Sequence, residues 1–143
     1  MREILFRGQD TESGEWVYGY YVHFETMHKV VHAIYTGCAD GYSGSLLAHC
    51  YDVKPETVGQ YTGLKDKNGT RIFENDILSA HPDELFPNDE IRLMVVWHDY
   101  GWFGKDSKGG FISLESKWVN ELFEVVGNKF DNPKLLKGGV ENE

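Results

Sequence analysis

The segment LKDKNGTRI, from Leu64 to Ile72, carries the clearest local structural signal in the chain. Asp66 stands at the first position of a predicted turn, where we expect its carboxylate to accept backbone N–H groups. Gly69 is placed to adopt the left-handed conformation that a bulged hairpin loop requires. Leu64 and Ile72 then flank the turn at the ends of two antiparallel strands. The segment therefore predicts a tight β-hairpin.

Aromatic and β-branched residues dominate most of the remaining chain, which contains four Trp, eight Tyr and eight Phe. Such side chains pack well on a pleated, half-buried surface, and short strands at regular spacing are typical of a small barrel or sandwich. Asn132 and Pro133 predict one short C-terminal helical turn that ends at Leu136. The expected fold is therefore mainly β. The further predicted strands cover residues 2–7, 16–24, 29–35, 49–53, 76–80, 91–98, 111–114 and 123–130.

No internal repeat and no shift of composition marks a linker, so the sequence predicts one domain over residues 1–136. Residues 36–45, TGCADGYSGS, contain three glycines and are expected to form a loop. Residues 81–90, HPDELFPNDE, combine two prolines with several acids and predict a second, solvated loop. Residues 137–143 are expected to be a flexible tail.

The charge and hydropathy of the chain restrict its environment. A formal net charge of −9 disfavours phosphate backbones in the absence of a local basic patch. No apolar run reaches the length of a membrane span, and the charged N-terminal segment does not resemble a signal peptide. Cys38 and Cys50 are too few for a disulfide framework or a zinc knuckle. These features predict a cytoplasmic protein with reduced cysteines.

Four stretches resemble sequence blocks of the YopX family of phage and prophage proteins. They are MREILFRGQD at the N-terminus, VKPETVGQYTGLKDKNGTRIFENDIL from Val53 to Leu78, VVWHDYGWF, and EVVGNKFDNPKLL. The second is the most specific, because it is a long ordered match. The resemblance implies an SH3-like β-barrel core with additional antiparallel strands and a gene carried by a phage or prophage. It supplies no activity or catalytic residues, and a fold alone does not fix function.

Two positions depart from the family pattern. Gln9 stands where the family usually has a tryptophan, and Asn75 stands where it usually has a glycine before Asp76. Asparagine tolerates positive φ better than most residues, so we expect the same turn to form.

The histidines invite a metal hypothesis, since His28 and His32 have the spacing that places two rings on one helix face. Their surroundings predict a strand, however, on which four residues span about 13 Å, too far for one zinc ion. His32, Cys38, His49 and Cys50 remain able to converge through folding, although nothing in their spacing demands it. We therefore assign no metal ligand and no cofactor.

No set of residues forms a coherent catalytic pattern. Glu74 and Asp76 share a face if the chain is extended, and an acid–base pair or a hard-cation site there remains open, but solvated turn acids are commoner. His98 and Asp99 are adjacent on a predicted strand and are expected to point to opposite faces. We assign no catalytic residue and no small-molecule substrate, and the sequence favours a protein that is not an enzyme.

Two binding hypotheses follow. Trp102 and Phe103 lie between glycines and are candidates for a surface that binds a protein partner or a second copy, whereas Trp97 is expected in the core. The alternative is a nucleic-acid-binding module that uses basic side chains of two predicted turns. Those candidates are Lys65, Lys67, Arg71, Lys105 and Lys108. The sequence identifies neither the partner nor the oligomeric state.

Overall fold

The computed structural model describes residues 3–36, 49–81 and 90–136. The chain divides into two compact units, Met1–Tyr61 and Thr62–Glu143. Strands make up 54% of the described residues and two antiparallel sheets are present, which confirms the mainly β prediction. The assignment of one domain to residues 1–136 stays a prediction.

Eleven strands and one α-helix can be followed through the described residues. The helix, α1 (Ser116–Leu122), lies between the last two strands, and short 3-10 helices occupy Pro55–Thr57 and Pro133–Leu136. The second 3-10 helix is the helical turn that the sequence predicted. The strands are β1 (Phe6–Gln9), β2 (Trp16–Glu25), β3 (Val30–Tyr35), β4 (Cys50–Asp52), β5 (Gly59–Lys65), β6 (Arg71–Phe73), β7 (Asp76–Ala80), β8 (Ile91–His98), β9 (Gly101–Lys105), β10 (Phe111–Ser113) and β11 (Glu124–Asn128).

In the first unit the strand order is β4-β3-β2-β1-β5, and each neighbouring pair is antiparallel. β1 pairs with the first half of β2, from Trp16 to Gly19, while β3 pairs with the second half, from Tyr20 to Glu25. Ile34 and Val53 are buried at the centre of this unit. Gly8 is required there, because a Cβ atom on it would lie 2.9 Å from the Cβ of Val53.

The second unit contains an antiparallel sheet in the order β10-β9-β8-β7-β11. Strand β7, which lies between β8 and β11, is buried along its whole length, as expected of a strand with neighbours on both sides and a core beneath it. The core of this unit is formed by buried side chains from strands β6 to β8, from α1 and from the segments flanking α1. They are Ile72, Leu78, Ala80, Leu93, Val95, Leu114, Val119 and Phe123.

The predicted hairpin between β5 and β6 is confirmed. The carboxylate Oδ1 of Asp66 accepts the backbone N–H groups of Asn68 at 2.8 Å and Thr70 at 2.9 Å. Gly69 has a φ of 82°, the left-handed conformation that the turn requires. Asp66 is buried, and its second oxygen also accepts the N–H of Val125 at 2.9 Å.

Several expectations were incomplete or were not confirmed. The described strands form two open sheets and no closed barrel, because β10 and β11 at the two edges of the second sheet each pair with only one described strand. The SH3-like barrel implied by the resemblance is therefore not confirmed. The sequence analysis also missed β9 and α1. The predicted loops beyond Thr36 and over 82–89, the residue Cys38, and the tail 137–143 lie outside the described residues.

Among the described residues, the structure contains no helix long and apolar enough to cross a membrane.

Candidate interaction surface

The β8–β9 hairpin ends in a pair of tryptophans. Trp97 and Trp102 are cross-strand partners whose rings meet edge-on, with centroids 5.0 Å apart and planes 74° apart. Trp102 packs against the core, whereas Trp97 is 54% exposed. The expectation that Trp97 lies in the core was wrong, because β8 continues past its last core residue, Val95, and carries Trp97 beyond the core.

The other face of the same hairpin carries a second aromatic group. The imidazole of His98 stacks on the ring of Phe111 at a centroid distance of 4.2 Å. Phe103 stands nearly perpendicular to both, 5.7 Å from His98 and 6.3 Å from Phe111. Tyr100, in the loop between the strands, is 86% exposed. We call these residues the hairpin-tip surface: Trp97, His98, Tyr100, Trp102, Phe103 and Phe111.

His98 and Asp99 are closer than the sequence suggested. Their Nε2 and Oδ2 atoms are 3.6 Å apart, because Asp99 adopts a φ of 56° in the loop instead of continuing the strand. The expectation that the two side chains point to opposite faces was therefore wrong. Both are well exposed, so the pair contributes little stability and lacks the burial of a catalytic base and its orienting carboxylate.

The five basic candidates are all exposed. The first group lies around the Asp66 turn, which is hydrogen-bonded to Val125 of β11, and consists of Lys65, Lys67 and Arg71. Lys105 and Lys108 instead lie at the turn between β9 and β10. β11 and β10 are the opposite edges of the five-stranded sheet, separated by four strand spacings or roughly 19 Å. The structure therefore divides the basic candidates into two groups and does not bring them into one cluster.

The carboxylate of Asp76 is buried and accepts a backbone hydrogen bond within its own turn. Asp76 is 2% exposed, and its Oδ2 accepts the backbone N–H of Phe73 at 2.7 Å. Asn75, between them in the chain, has a φ of 74° and makes the reversal possible. This arrangement accounts for Asp76 as a turn-forming residue. In the part of the chain that the structure describes, no group of three or more His, Cys, Asp or Glu side chains is arranged to hold a metal ion.

Glu90 anchors the start of β8 away from the hairpin tip. Its Oε2 accepts a hydrogen bond from Arg92 Nε at 2.9 Å and another from the Ser79 hydroxyl. Burial raises the pKa of Glu90, but these hydrogen bonds and the positive charge of Arg92 outweigh burial and hold the pKa below its ordinary value. Arg92 also donates to the carbonyl of Leu135 at 3.3 Å, so this group connects β7, β8 and the C-terminal 3-10 helix.

A family profile described as YopX protein matches residues 5–137. The chain belongs to the YopX family. The match covers nearly the whole chain, so the resemblance of the four sequence blocks is confirmed. The positive φ of Asn75 also confirms that asparagine maintains the turn at this departure from the family pattern.

This YopX-family chain resembles a solved structure over most of its length. The crystal structure of protein EF1440 from Enterococcus faecalis superposes on it with a TM-score of 0.55 and 20% sequence identity. The alignment covers 95% of the present chain and 99% of that one. At this identity the likeness shows the fold alone. No curated protein matches the sequence.

The sequence analysis found two members of the hairpin-tip surface of this YopX-family protein, Trp102 and Phe103, and missed the others. The pattern WHDYGWF contained a signal that it did not use. Two aromatic pairs flank a short Asp-Tyr loop, as in a hairpin with aromatic cross-strand neighbours. The stack of His98 on Phe111 had no local signal, because Phe111 lies on a different strand and meets His98 only through the register of the sheet.

Proposed function

We propose that this protein is a non-enzymatic phage or prophage accessory protein of the bacterial cytoplasm that binds another protein through the hairpin-tip surface. The observation that carries the proposal is the exposure of large aromatic side chains at one place, with Trp97 54% and Tyr100 86% exposed. Monomeric proteins seldom leave such groups together on the surface without a use, and Trp and Tyr dominate the energetics of protein interfaces.

The geometry of the surface also favours binding. The edge-on packing of Trp97 against Trp102 and the stacking of His98 on Phe111 restrict these side chains before any partner arrives. A restricted side chain loses less conformational entropy when it is buried in an interface. The partner is therefore expected to present an apolar pocket or surface that covers the hairpin tip. When the partner is a second copy of the chain, the same surface mediates self-assembly.

A capture experiment with matched surface variants tests the proposal. The unaltered chain is expected to capture a partner protein from extracts of host cells that carry the phage or prophage. The double variant with Trp97→Ser and Tyr100→Ser is expected to lose this capture. Tyr20→Ser combined with Met27→Ser, which changes residues 59% and 95% exposed in the first unit, should retain them. Sedimentation velocity of the purified chain reports self-assembly. Equal capture by both double variants, together with a monomer in sedimentation, contradicts the proposal.

The nucleic-acid alternative is supported by the exposure of the five basic side chains. The separation of these side chains into two groups and the net charge of −9 weigh against nucleic-acid binding. Binding of single- and double-stranded probes across a salt titration distinguishes the hypotheses, because phosphate contacts weaken steeply with salt. Salt-dependent binding that falls in Lys65→Gln with Lys67→Gln, but not in the tip variant, would replace the protein-binding proposal.

A further inference from the structure

The second half of β2 leaves one of its two edges without a partner strand. β1 pairs with β2 only from Trp16 to Gly19, whereas β3 pairs with β2 from Tyr20 to Glu25. Residues 3–5, which precede β1, form no strand, and the carbonyl of Leu5 accepts the N–H of Tyr61 on β5. Among the described strands, none therefore pairs with Tyr20–Glu25 on the side opposite β3.

The backbone groups that point toward this free edge follow from the pairing of β2 with β3. His23 lies directly opposite His32, whose carbonyl accepts the N–H of Val53 on the other side of β3. Facing residues in an antiparallel pair either bond to each other or both point away, so His23 directs its N–H and carbonyl away from β3. Because the pattern repeats every two residues, Tyr21 and Glu25 also direct their N–H and carbonyl groups to the free edge.

This edge lacks the features by which proteins commonly protect a sheet edge from further pairing. Protected edges are very short, bulged, or marked by lysine or proline. Strands β4, β6 and β10 have three residues each, and β11 is bulged between Val125 and Gly127. The register of β2 against β3 is instead continuous from Tyr20 to Glu25, a stretch that contains no lysine or proline and in which Phe24 is 46% exposed. The edge is therefore suited to accept another strand.

A second copy of β2 fits this edge when the two strands run antiparallel about a two-fold axis at His23. In that register His23 faces His23 of the second copy and each Tyr21 faces a Glu25, so all of the outward N–H and carbonyl groups obtain partners. On the other face each Val22 meets a Phe24, and pairs of β-branched and aromatic side chains stabilise sheets. No like charges lie directly opposite each other, because Glu25 carries the only formal charge of the stretch.

We infer that the Tyr20–Glu25 edge of β2 is a self-association surface through which two copies of this chain form a two-fold symmetric dimer. The pairing joins the first-unit sheets of the two copies into one continuous sheet. It uses different residues from the hairpin-tip surface and does not rest on the proposed protein-binding function. Strand pairing of this length buries little surface, so the dimer is expected to be weak and to form as the chain concentration rises.

Sedimentation equilibrium from low micromolar to millimolar chain concentration tests this inference. The unaltered chain is expected to pass from monomer to dimer. His23→Glu and His23→Lys change an exposed side chain and should each weaken dimerisation by roughly 5-fold or more, because like charges then face each other across the axis. An equimolar mixture of these two variants should form dimers at concentrations where neither does so alone. Tyr51→Glu, on β4 at the opposite edge of the same sheet, and the double variant with Trp97→Ser and Tyr100→Ser should dimerise like the unaltered chain.

Amide hydrogen exchange of the unaltered chain, followed by NMR, gives a second measurement that needs no variant. Protection should rise with concentration at the outward amides of Tyr21, His23 and Glu25, but not at Val22 and Phe24, whose N–H groups already point toward β3. The inference is overturned by a chain that stays monomeric, by a dimer that the His23 variants leave unchanged, or by a mixture no more dimeric than its components. Protection that rises equally at all five amides, or at none of them, also overturns it.

Discussion

The carboxylate of Asp66 accepts the backbone N–H of Val125, 59 residues further along the chain, at a distance of 2.9 Å. The same side chain also closes its own turn through the N–H groups of Asn68 and Thr70. One buried carboxylate thus forms the β5–β6 hairpin and attaches it to β11. Since a buried carboxylate must be matched by donors, the three N–H groups and Asp66 depend on one another.

Replacement of Asp66 by alanine should therefore strongly destabilise the protein. We expect a loss of about 3 kcal/mol in the free energy of unfolding, because three N–H groups lose a charged acceptor in a buried setting. Urea denaturation followed by tryptophan fluorescence measures this change.

The turn at Asp106 supplies a matched control. Its Oδ1 accepts the N–H groups of Lys108 and Gly110, and Gly109 has a φ of 88°, which repeats the local design of the Asp66 turn. These bonds are exposed, so Asp106→Ala should cost only about 1 kcal/mol. Equal losses in the two variants would show that the bond to Val125 and the burial of Asp66 contribute nothing.

Gly104 tests the packing of β9 against the core. A Cβ atom at this position would lie 2.7 Å from Cδ1 and 2.9 Å from Cβ of Leu93, which is buried in the core. Gly104→Ala is expected to destabilise the protein by about 1 to 3 kcal/mol, as overpacking of cores commonly does. At Gly101 the nearest atom, on Phe103, is 3.5 Å away, so Gly101→Ala should change stability by less than about 0.5 kcal/mol. Thermal unfolding of both variants makes the comparison, and an unchanged Gly104→Ala variant would refute the close packing.

Asn75 tests the cost of a left-handed residue in the turn before β7. Its φ is 74°, which glycine adopts freely and alanine adopts with strain. Asn75→Ala should lower the free energy of unfolding by about 1 kcal/mol, while Asn75→Gly should cost less than Asn75→Ala. Chemical denaturation of the three chains gives the order of stability. An alanine variant at least as stable as the glycine variant would contradict this explanation.

Glu90 predicts a pH dependence of stability. Its pKa in the folded protein lies below its ordinary value of 4.5, so the folded state binds the proton less readily than the unfolded state. The resulting stabilisation is complete above the ordinary pKa and is lost as the pH falls through the lowered folded value. Glu90→Gln should therefore reduce the difference between the free energies of unfolding at neutral and at acidic pH. Urea denaturation across this range, with the exposed Glu121→Gln as control, measures the effect; identical profiles for Glu90→Gln and the unaltered chain would contradict it.

Local chemistry was sufficient to predict much of the fold. The Asp66 and Gly69 turn, the strands Asp76–Ala80 and Ile91–His98, and the helical turn at Pro133 follow from residues close together in the sequence. The helix α1 could not be found in this way. It has only seven residues and no side-chain hydrogen bond at its N-cap, and it contributes the fully buried Val119 to the core. Its stability thus comes from packing, which a short sequence window does not contain.

The candidate sites depended even more on long-range structure. The exposure of Trp97 follows from where the core ends beneath β8, and the stacking of His98 on Phe111 follows from the register of β8, β9 and β10. Neither quantity can be read from composition or spacing. Trp102 and Phe103 were found because aromatic residues between glycines are a local signal, but their neighbours come from the fold.

The unequal pairing of β2 has a consequence for motion. At Gly19 the pairing of β2 passes from β1 to β3, and the carbonyl of Tyr35 approaches so closely that no Cβ would fit. Toward Glu25 it pairs only with β3 among the described strands, and a two-stranded ribbon is marginally stable alone. Amide hydrogen exchange should therefore be slow at the Gly19 end and progressively faster toward Glu25, so that one continuous strand combines a rigid base with an arm that opens readily.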